Sequence, residues 1–227
     1  MQTEILARPS AAVARLTLRA GETITCEVGA MVAMSTGFQV ETTTRQRGSG
    51  GLWAGVKRMV SGENFFLNKF TARADGEHLI IGPTLVGDVI HHELVGAGTL
   101  IVQGSSWLAS GPGVEIDTSF QGIGKALFSG ESVFWIKCSG RGDLLLNSFG
   151  SIYEVDVQDS YVVDTGHIVA FQDTLQFTVG KLGDSWLHTM LSGEGLVCHF
   201  SGRGKLYCQT HSPPGFGHEL GPMLRPR

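Results

Sequence analysis

The sequence has few charged residues, no excess of positive charge and no long apolar run. Charged residues make up 17% of the 227 residues, and the formal net charge is -4. A chain of this kind lacks the broad positive field that attracts nucleic acid. No apolar run approaches the roughly 18 residues that a membrane-spanning helix needs. We therefore expect neither nucleic-acid binding nor a transmembrane segment.

Cysteine is also scarce, and its spacing excludes the usual paired motifs. The four cysteines stand at positions 26, 138, 198 and 208, and no two of them form a C-x-x-C pair. Such sparse cysteines are typical of a reducing compartment. The N-terminal residues lack the charged region and apolar segment of a secretory signal. The sequence predicts a soluble, cytoplasmic protein.

Glycine, in contrast, is abundant. The chain has 32 glycines, about twice the number that an average share of roughly 7% predicts. Without a collagen-like period, this excess indicates many tight turns between short strands. Apolar residues make up 42% of the chain, so the protein is able to bury a core without metals or disulfides.

One short motif occurs three times. Ser-Gly-Glu begins at Ser61, Ser129 and Ser192, at intervals of 68 and 63 residues. Ser-Gly-Arg-Gly follows the second and third copies, at residues 139–142 and 201–204. Similarity at a nearly fixed interval is the signature of an internal repeat.

The segments before each motif share a second pattern. Each has two runs of alternating apolar and polar residues and an apolar pair before Ala33, Ala109 or Ala170. Alternation with a period of two indicates half-buried strands. The sequence therefore predicts an all-β fold, in which three quasi-equivalent β-repeats form one closed multi-sheet domain with short helices between strands.

The repeats also set the predicted domain boundaries. A single all-β domain spans residues 1–213, with repeats at about 3–82, 85–148 and 151–211. Four of the seven prolines lie after residue 212. Because proline interrupts regular structure, we expect residues 214–227 to form an irregular C-terminal tail.

The Ser-Gly-Glu copies are interpreted as turns that end a short helix and lead into a strand. Predicted helices cover residues 52–60, 123–128 and 186–191, and glycine follows each of them where a helix stop favours positive φ. The repeat-defining turn residues are Gly62, Glu63, Gly130, Glu131, Gly193 and Glu194. The alternative is that the three glutamates converge on a pseudo-threefold axis as an acidic site.

Arg141 and Arg203 stand between glycines in the two Ser-Gly-Arg-Gly segments. Glycines between two apolar runs favour a hairpin turn, with the arginine exposed. The alternative is that each arginine binds an anion, because glycine lets backbone N–H groups approach it.

Two clusters are weak candidates for a metal site. His91 and Glu93 share one face of a predicted strand, and His92 takes the opposite, apolar face. The alternative is that His91 and Glu93 are surface residues and His92 is a partly buried, hydrogen-bonded core residue.

The second cluster contains Cys198, Cys208 and His211. Their chemistry suits zinc, but the C-x9-C-x2-H spacing is not usual for zinc ligands. The alternative is that the two cysteines are small apolar neighbours across the last hairpin. The sequence predicts no bound metal and no cofactor.

A small basic and apolar patch lies near the first Ser-Gly-Glu. Leu52 and Trp53 stand beside Lys57 and Arg58. If these side chains are exposed, the patch is able to contact a membrane surface or a protein partner. The alternative is that Leu52 packs into the core.

The motifs together resemble a known family. The pattern G-E-x-(F/L) followed by a G-x-G segment, and the ending GEGLVCHFSGRGKLYCQTHSP, are similar to the altered-inheritance-of-mitochondria (mitochondrial biogenesis) family over roughly residues 1–213. The resemblance to its bacterial and archaeal members, formerly a domain of unknown function, implies a fold like that of the tryptophan RNA-binding attenuation protein. It implies no established enzymatic activity and no set of catalytic residues. RNA or tryptophan binding does not follow from a shared fold.

These observations favour a non-enzymatic scaffold or interaction protein, cytosolic or peripheral to a membrane. Unmatched strand edges, and the oligomeric nature of the attenuation-protein fold, predict a homo-oligomer. The alternative is a small-molecule-binding β module with a ligand site between repeats or subunits. The tryptophans that would contribute to such a site are Trp53, Trp107, Trp135 and Trp186.

Overall fold

The computed structural model describes residues 1–44, 66–117, 135–180 and 196–224. The strands are β1 (Gln2–Leu6), β2 (Val13–Leu18), β3 (Thr23–Glu27), β4 (Met31–Met34), β5 (Phe38–Thr44), β6 (Phe66–Ala72), β7 (Glu77–Ile81), β8 (Val89–Val95), β9 (Leu100–Gln103), β10 (Trp107–Ser110), β11 (Val114–Asp117), β12 (Trp135–Asn147), β13 (Ile152–Val157), β14 (Ser160–Asp164), β15 (Ile168–Gln172), β16 (Leu175–Gly180), β17 (Val197–Gly202) and β18 (Gly204–Gln209). Short 3-10 helices cover Gly104–Ser106, Thr165–His167 and Gly221–Met223. The described part of the chain contains one α-helix, α1 (Pro213–Leu220).

The alternating sequence pattern explains the strands. In β2, Ala14, Leu16 and Leu18 are buried, and the residues between them are more exposed. Ile24 and Cys26 repeat this pattern in β3. Successive side chains of a strand point to opposite faces, so one face packs on the core while the other faces outward. The prediction of an all-β fold is therefore confirmed to the extent that the described part of the chain is mostly strand, with one short α-helix.

The strands form three sheets. A four-stranded sheet has the order β1-β2-β7-β4, and a three-stranded sheet has the order β14-β17-β16. The remaining strands belong to an eleven-stranded sheet that is organised around β12. Every pairing between named strands is antiparallel.

Strand β12 is thirteen residues long and serves two sets of partners. Residues 135–140 pair with β9 and β11, whereas residues 141–147 pair with β8 and β10. The prediction of a hairpin turn at Arg141 is therefore wrong. Gly140 and Gly142 have φ values of 97° and 140°, and this backbone redirects the strand between its partners without folding it back on itself.

The prediction of a hairpin turn at Arg203 is also wrong. Arg203 is a bend between β17 and β18. Strand β17 pairs with β14 and β16, and β18 pairs with β13 and β15, so these two successive strands enter different sheets. As in β12, the glycines allow a change of direction between two sets of partners.

The eleven-stranded sheet consists of two six-stranded segments joined through β12. In the first segment, β8, β12 and β10 continue into β3, β6 and β5. In the second segment, β13, β18 and β15 continue into β9, β12 and β11. Among the described residues each sheet is open, so the predicted closed arrangement is not found there. The physical reason is that β4 and β14 end their sheets without pairing with each other.

Three apolar clusters form the core between the sheets. The first combines residues of β2, β3 and β7 with Leu108, Ala109 and Leu145 of β10 and β12. The second surrounds Trp107, which is fully buried. The third contains Phe171 and Phe200. Because strands far apart in the sequence contribute to each cluster, the core depends on long-range pairing.

The C-terminal residues correct another prediction. The expected irregular tail, residues 214–227, begins within α1. Ser212 caps this helix, since its hydroxyl oxygen accepts a hydrogen bond from the Gly215 N–H at 3.3 Å. Pro213 stands where the fixed φ of proline suits a helix start. The Phe216 ring lies 5.2 Å from the ring of Phe149, which stands between β12 and β13.

Candidate functional site

His91 and Glu93, the first metal candidates, are exposed on β8. The His91 Nε2 atom lies 2.7 Å from the Asp143 Oδ1 atom on the neighbouring strand β12. Glu93 is opposite Asp143 in the backbone register. The described ranges contain no group of three His, Cys, Asp or Glu side chains placed to hold a metal ion. The structure thus assigns His91 to a surface histidine–carboxylate pair.

His92 lies on the other face of β8 and contacts Tyr207 of β18. The two rings are perpendicular, with centroids 5.9 Å apart, and the His92 Nδ1 atom is 3.4 Å from the Tyr207 hydroxyl. Burial lowers the pKa of His92 and raises the pKa of Tyr207. Both side chains are therefore neutral at pH 7. This position agrees with the interpretation of His92 as a partly buried, hydrogen-bonded residue.

Cys198 and Cys208 are buried in the third apolar cluster, but they are not neighbours across a hairpin. Cys198 lies opposite Val163 on β14, and Cys208 lies opposite Tyr153 on β13. The expectation that the last hairpin joins the two cysteines is therefore wrong, because β17 and β18 belong to different sheets.

The apolar surroundings of these two cysteines favour the protonated thiol. Burial raises the pKa of Cys198 to about 12 and that of Cys208 to about 11. His211, the third member of the predicted cluster, is exposed, with its Nδ1 atom 2.9 Å from the Thr210 hydroxyl. The structure shows the two cysteines as small apolar core residues.

The two arginines of the Ser-Gly-Arg-Gly segments are exposed. The Arg141 guanidinium lies over Gly96 in the turn between β8 and β9. The other predicted site residues lie outside the described residues: Gly62, Glu63, Gly130, Glu131, Gly193, Glu194, Leu52, Trp53, Lys57 and Arg58. The convergence of the three glutamates therefore stays a prediction.

A buried charge that the sequence analysis missed is Asp88, which is fully inaccessible. Arg8 donates to both of its carboxylate oxygens, Nε to Oδ1 and Nη2 to Oδ2, each at 2.8 Å. The backbone N–H of Val89 donates to Oδ1 at 2.9 Å. The pair is separated by 80 positions, and no local sequence pattern indicates it. With its oxygens engaged, Asp88 fixes the N-terminal loop to the start of β8.

The most unusual surface feature is β4. All four of its residues are exposed, including Met31 at 43%, Val32 at 61% and Met34 at 40%. Strand β4 ends the four-stranded sheet, and its partner among the described strands is β7. Its outer edge therefore presents backbone N–H and C=O groups beside apolar side chains, with no charged residue among the four.

Strand β14 likewise ends the three-stranded sheet, although it includes Asp164 and its Val163 side chain is buried. Its described partner is β17, which leaves its other edge open. Tyr161 and Val162 are 42% and 46% exposed. We refer to the outer edges of β4 and β14 as the open edges. They are the candidate functional site, because an exposed apolar edge is a template for pairing with another strand.

The described fold and surface define a mostly β protein built from several open sheets with apolar edges. Within the described ranges, no helix is long and apolar enough to cross a membrane. Comparison of the sequence with family models identifies the family to which the chain belongs. The chain belongs to the mitochondrial biogenesis AIM24 family, whose model matches residues 3–211. The family resemblance deduced from the motifs is thereby confirmed.

Individual relatives agree with this assignment. An uncharacterized protein of Streptococcus pyogenes serotype M6 is 30% identical over 198 residues, which cover 85% of this chain and 79% of that protein. The crystal structure of a Streptococcus pyogenes protein superposes with a TM-score of 0.78 at 25% identity, covering 98% of this chain and 99% of that one. The predicted likeness to the attenuation-protein fold stays a prediction.

Proposed function

We propose that this chain is a non-enzymatic interaction protein that acts as a scaffold by associating with further copies of itself. The observation that carries the proposal is the exposure of the whole of β4. Soluble sheet proteins normally protect an edge with charged residues, proline or a covering segment. Strand β4 contains neither a charged residue nor a proline, so its open edge is suited to pairing.

The proposal includes three quasi-equivalent units, and the strand pairings support it. In the first, β7 lies between β2 and β4, while β6 lies between β3 and β5. In the second, the two halves of β12 lie between β8 and β10 and between β9 and β11. In the third, β18 lies between β13 and β15, and β17 lies between β14 and β16. The order of pairing along the chain is the same each time.

The described contacts of the candidate chemical groups support a non-enzymatic role. His91 is paired with Asp143, and His92 packs against Tyr207. The two tryptophans within the described ranges, Trp107 and Trp135, are core residues and do not line an open site. For this reason we prefer self-association to the small-molecule-binding alternative.

The proposed location is the cytosol or the surface of a membrane. Four free, buried cysteines support a reducing compartment. The predicted contact patch, Leu52, Trp53, Lys57 and Arg58, lies outside the described residues.

Native mass spectrometry combined with light scattering tests the proposed function. The 24.3 kDa chain is expected to form assemblies larger than a monomer at micromolar concentration, without a bound small molecule. A monomer across this range would contradict self-association. A stoichiometric additional mass on each subunit would instead favour the small-molecule-binding alternative.

A further inference from the structure

We infer that β4 of one copy pairs antiparallel with β14 of a second copy, with Ala33 opposite Val163 and Met34 opposite Val162. The inference rests on the proposed self-association and specifies the interface that produces it. Two open half-sheets, one from each copy, would thereby become one seven-stranded sheet with the order β1-β2-β7-β4-β14-β17-β16.

The two six-stranded segments within the chain already contain junctions of this kind. In each segment, three strands join three others through one pairing: β10 with β3, and β15 with β9. The four-stranded and three-stranded sheets are the corresponding halves, and they end at β4 and β14. The same kind of junction therefore occurs twice within the chain. The two strands that correspond to its members, β4 and β14, have an open outer edge among the described residues.

The internal junctions also indicate the register of the inferred pair. In the two internal junctions, Ala109 lies opposite Cys26, and Ala170 lies opposite Val102. Each of these alanines has a counterpart in β4, Ala33, at the same place in the alternating pattern.

The spacing along the chain identifies the other member of the pair. Cys26 precedes Ala33 by seven positions, and Val102 precedes Ala109 by seven positions. The residue seven positions before Ala170 is Val163, in β14. The register equivalent to the internal junctions thus places Ala33 opposite Val163. In an antiparallel pair, Met34 then lies opposite Val162.

The local shape of the strands supports the same pairing. The pairing of β10 with β12 has an irregularity between Trp107 and Ala109, and the pairing of β15 with β18 has one between Ile168 and Ala170. The pairing of β4 with β7 has the same irregularity between Met31 and Ala33. Because β10 and β15 accept a partner on their other edge despite this irregularity, β4 is shaped to do the same.

The exposure of apolar side chains on β4 also favours the pairing. Ala109 and Ala170, which lie in internal junctions, are fully buried, whereas every residue of β4 is exposed. Pairing with β14 would cover Met34 and Val162, which lie opposite each other in the inferred register. Removal of apolar surface from water and completion of the backbone hydrogen bonds both favour this contact.

The inferred contact joins two different surfaces, so it is heterologous. Each copy offers β4 to one neighbour and β14 to another, and the result is a ring if the rotation closes or a filament if it does not. A single substitution at either edge is expected to interrupt the assembly.

Two single variants test the interface. Met34→Arg and Val162→Arg each place a charge at one open edge, and both residues are already exposed, so the fold should be retained. Each variant is expected to become monomeric at a concentration at which the wild type is oligomeric, with at least a tenfold weaker association. Val86→Arg is the matched control, since Val86 is 70% exposed and belongs to neither edge. This control should keep the wild-type mass.

Mixing the two variants gives a sharper result. Met34→Arg retains an intact β14, and Val162→Arg retains an intact β4. An equimolar mixture is therefore expected to form a heterodimer of twice the chain mass, whose outer edges are both blocked. Continued monomers in the mixture at high concentration, with both variants folded by circular dichroism, would overturn the inference.

Disulfide trapping tests the register independently of dissociation. A Met34→Cys/Val162→Cys variant, treated with a mild oxidant, should give covalent oligomers on a non-reducing gel. The Val86→Cys/Val162→Cys control should not, and the four native thiols are buried. Equal trapping in both variants would overturn the inferred pairing.

The outcomes separate the inference from the proposed function. A monomeric wild type would refute self-association before any variant is made. An oligomeric wild type that keeps its mass in Val162→Arg but dissociates in Met34→Arg would refute the β4–β14 pairing alone. Wild-type mass in both edge variants would refute it in the same way.

Discussion

The guanidinium of Arg8 forms a bidentate ion pair with the carboxylate of Asp88, although the two residues are 80 positions apart. Asp88 is fully buried, whereas the Arg8 side chain is 48% exposed. The Arg8 contact therefore supplies the counter-charge that a buried carboxylate requires. It also ties the loop after β1 to the start of β8.

We predict that Arg8→Ala destabilises the protein by about 2–4 kcal/mol, because a buried charge loses its partner. Arg8→Lys should recover part of this loss, since lysine keeps the charge but not the fork geometry. Urea unfolding followed by tryptophan fluorescence measures the free energy of unfolding.

Arg15→Ala is the matched control for this prediction. Arg15 pairs with Glu4 at 3.2 Å, and the two side chains are 46% and 56% exposed, so neither charge is buried. The expected loss is below about 1 kcal/mol. Equal losses in the Arg8 and Arg15 variants would show that burial of Asp88 does not govern the stability of its pair.

The sequence predicted those features that depend on local pattern. The alternation in β2 is visible in six consecutive residues, and it correctly indicates a strand with one buried face. The glycines around Arg141 show that the chain changes direction there. They do not distinguish a hairpin turn from a bend within β12, because that choice depends on partners as distant as β8.

The open edges could not be located in the same way. Strand β4 (MVAM) is apolar like the buried strand β10 (WLAS), so its sequence gives no indication of exposure. The difference arises from the sheet order. Strand β10 has β3 as a neighbour on one edge, whereas β4 has no equivalent neighbour among the described strands. The sequence predicted unmatched edges in general, and the structure was needed to identify them.

Glu27 is expected to make stability depend on pH. Burial raises the pKa of Glu27 to about 7, above its value of about 4.3 in an unfolded chain. Between these values the folded state holds a proton that the unfolded state has released. Stability contributed by this residue is therefore present at low pH and is lost as the pH rises to about 7.

We predict that Glu27→Gln stabilises the protein relative to the wild type by about 1–3 kcal/mol at pH 8. The gain should be much smaller at pH 5, where the wild-type carboxyl is protonated in the folded state. Chemical unfolding at both pH values measures the difference in the free energy of unfolding between the variant and the wild type. Glu219→Gln, an exposed change on α1, is the control, and a pH-independent gain in the Glu27 variant would contradict the prediction.

The buried cysteines are expected to resist modification in the native protein. Burial raises the pKa of Cys138 to about 12 and that of Cys208 to about 11. At pH 8 the thiolate fraction falls to about 0.1% or less, from roughly 25% for an ordinary thiol. We predict that a colorimetric thiol reagent reacts at least about 100-fold more slowly with the native protein than with the denatured chain.

All four thiols should react in denaturant. The Met34→Cys variant serves as a positive control, because it adds one thiol at an exposed position and should react rapidly at one site per chain when examined at low protein concentration. Rapid reaction of a native cysteine in the folded wild type would contradict the buried environments described above.

Substitution of Gly140 tests whether the bend within β12 requires glycine. Its φ is 97°, a region that other residues rarely adopt, and an added Cβ would collide with the carbonyl oxygen of Gly113. We therefore predict that Gly140→Ala destabilises the protein by more than about 2 kcal/mol. Gly21→Ala is the control, since Gly21 has a similar φ of 80° but open space around it, and backbone conformation alone costs about 1 kcal/mol. Urea unfolding measures the loss of free energy in both variants. Equal losses would show that the backbone conformation accounts for the effect and that the close contact between Gly140 and Gly113 contributes nothing.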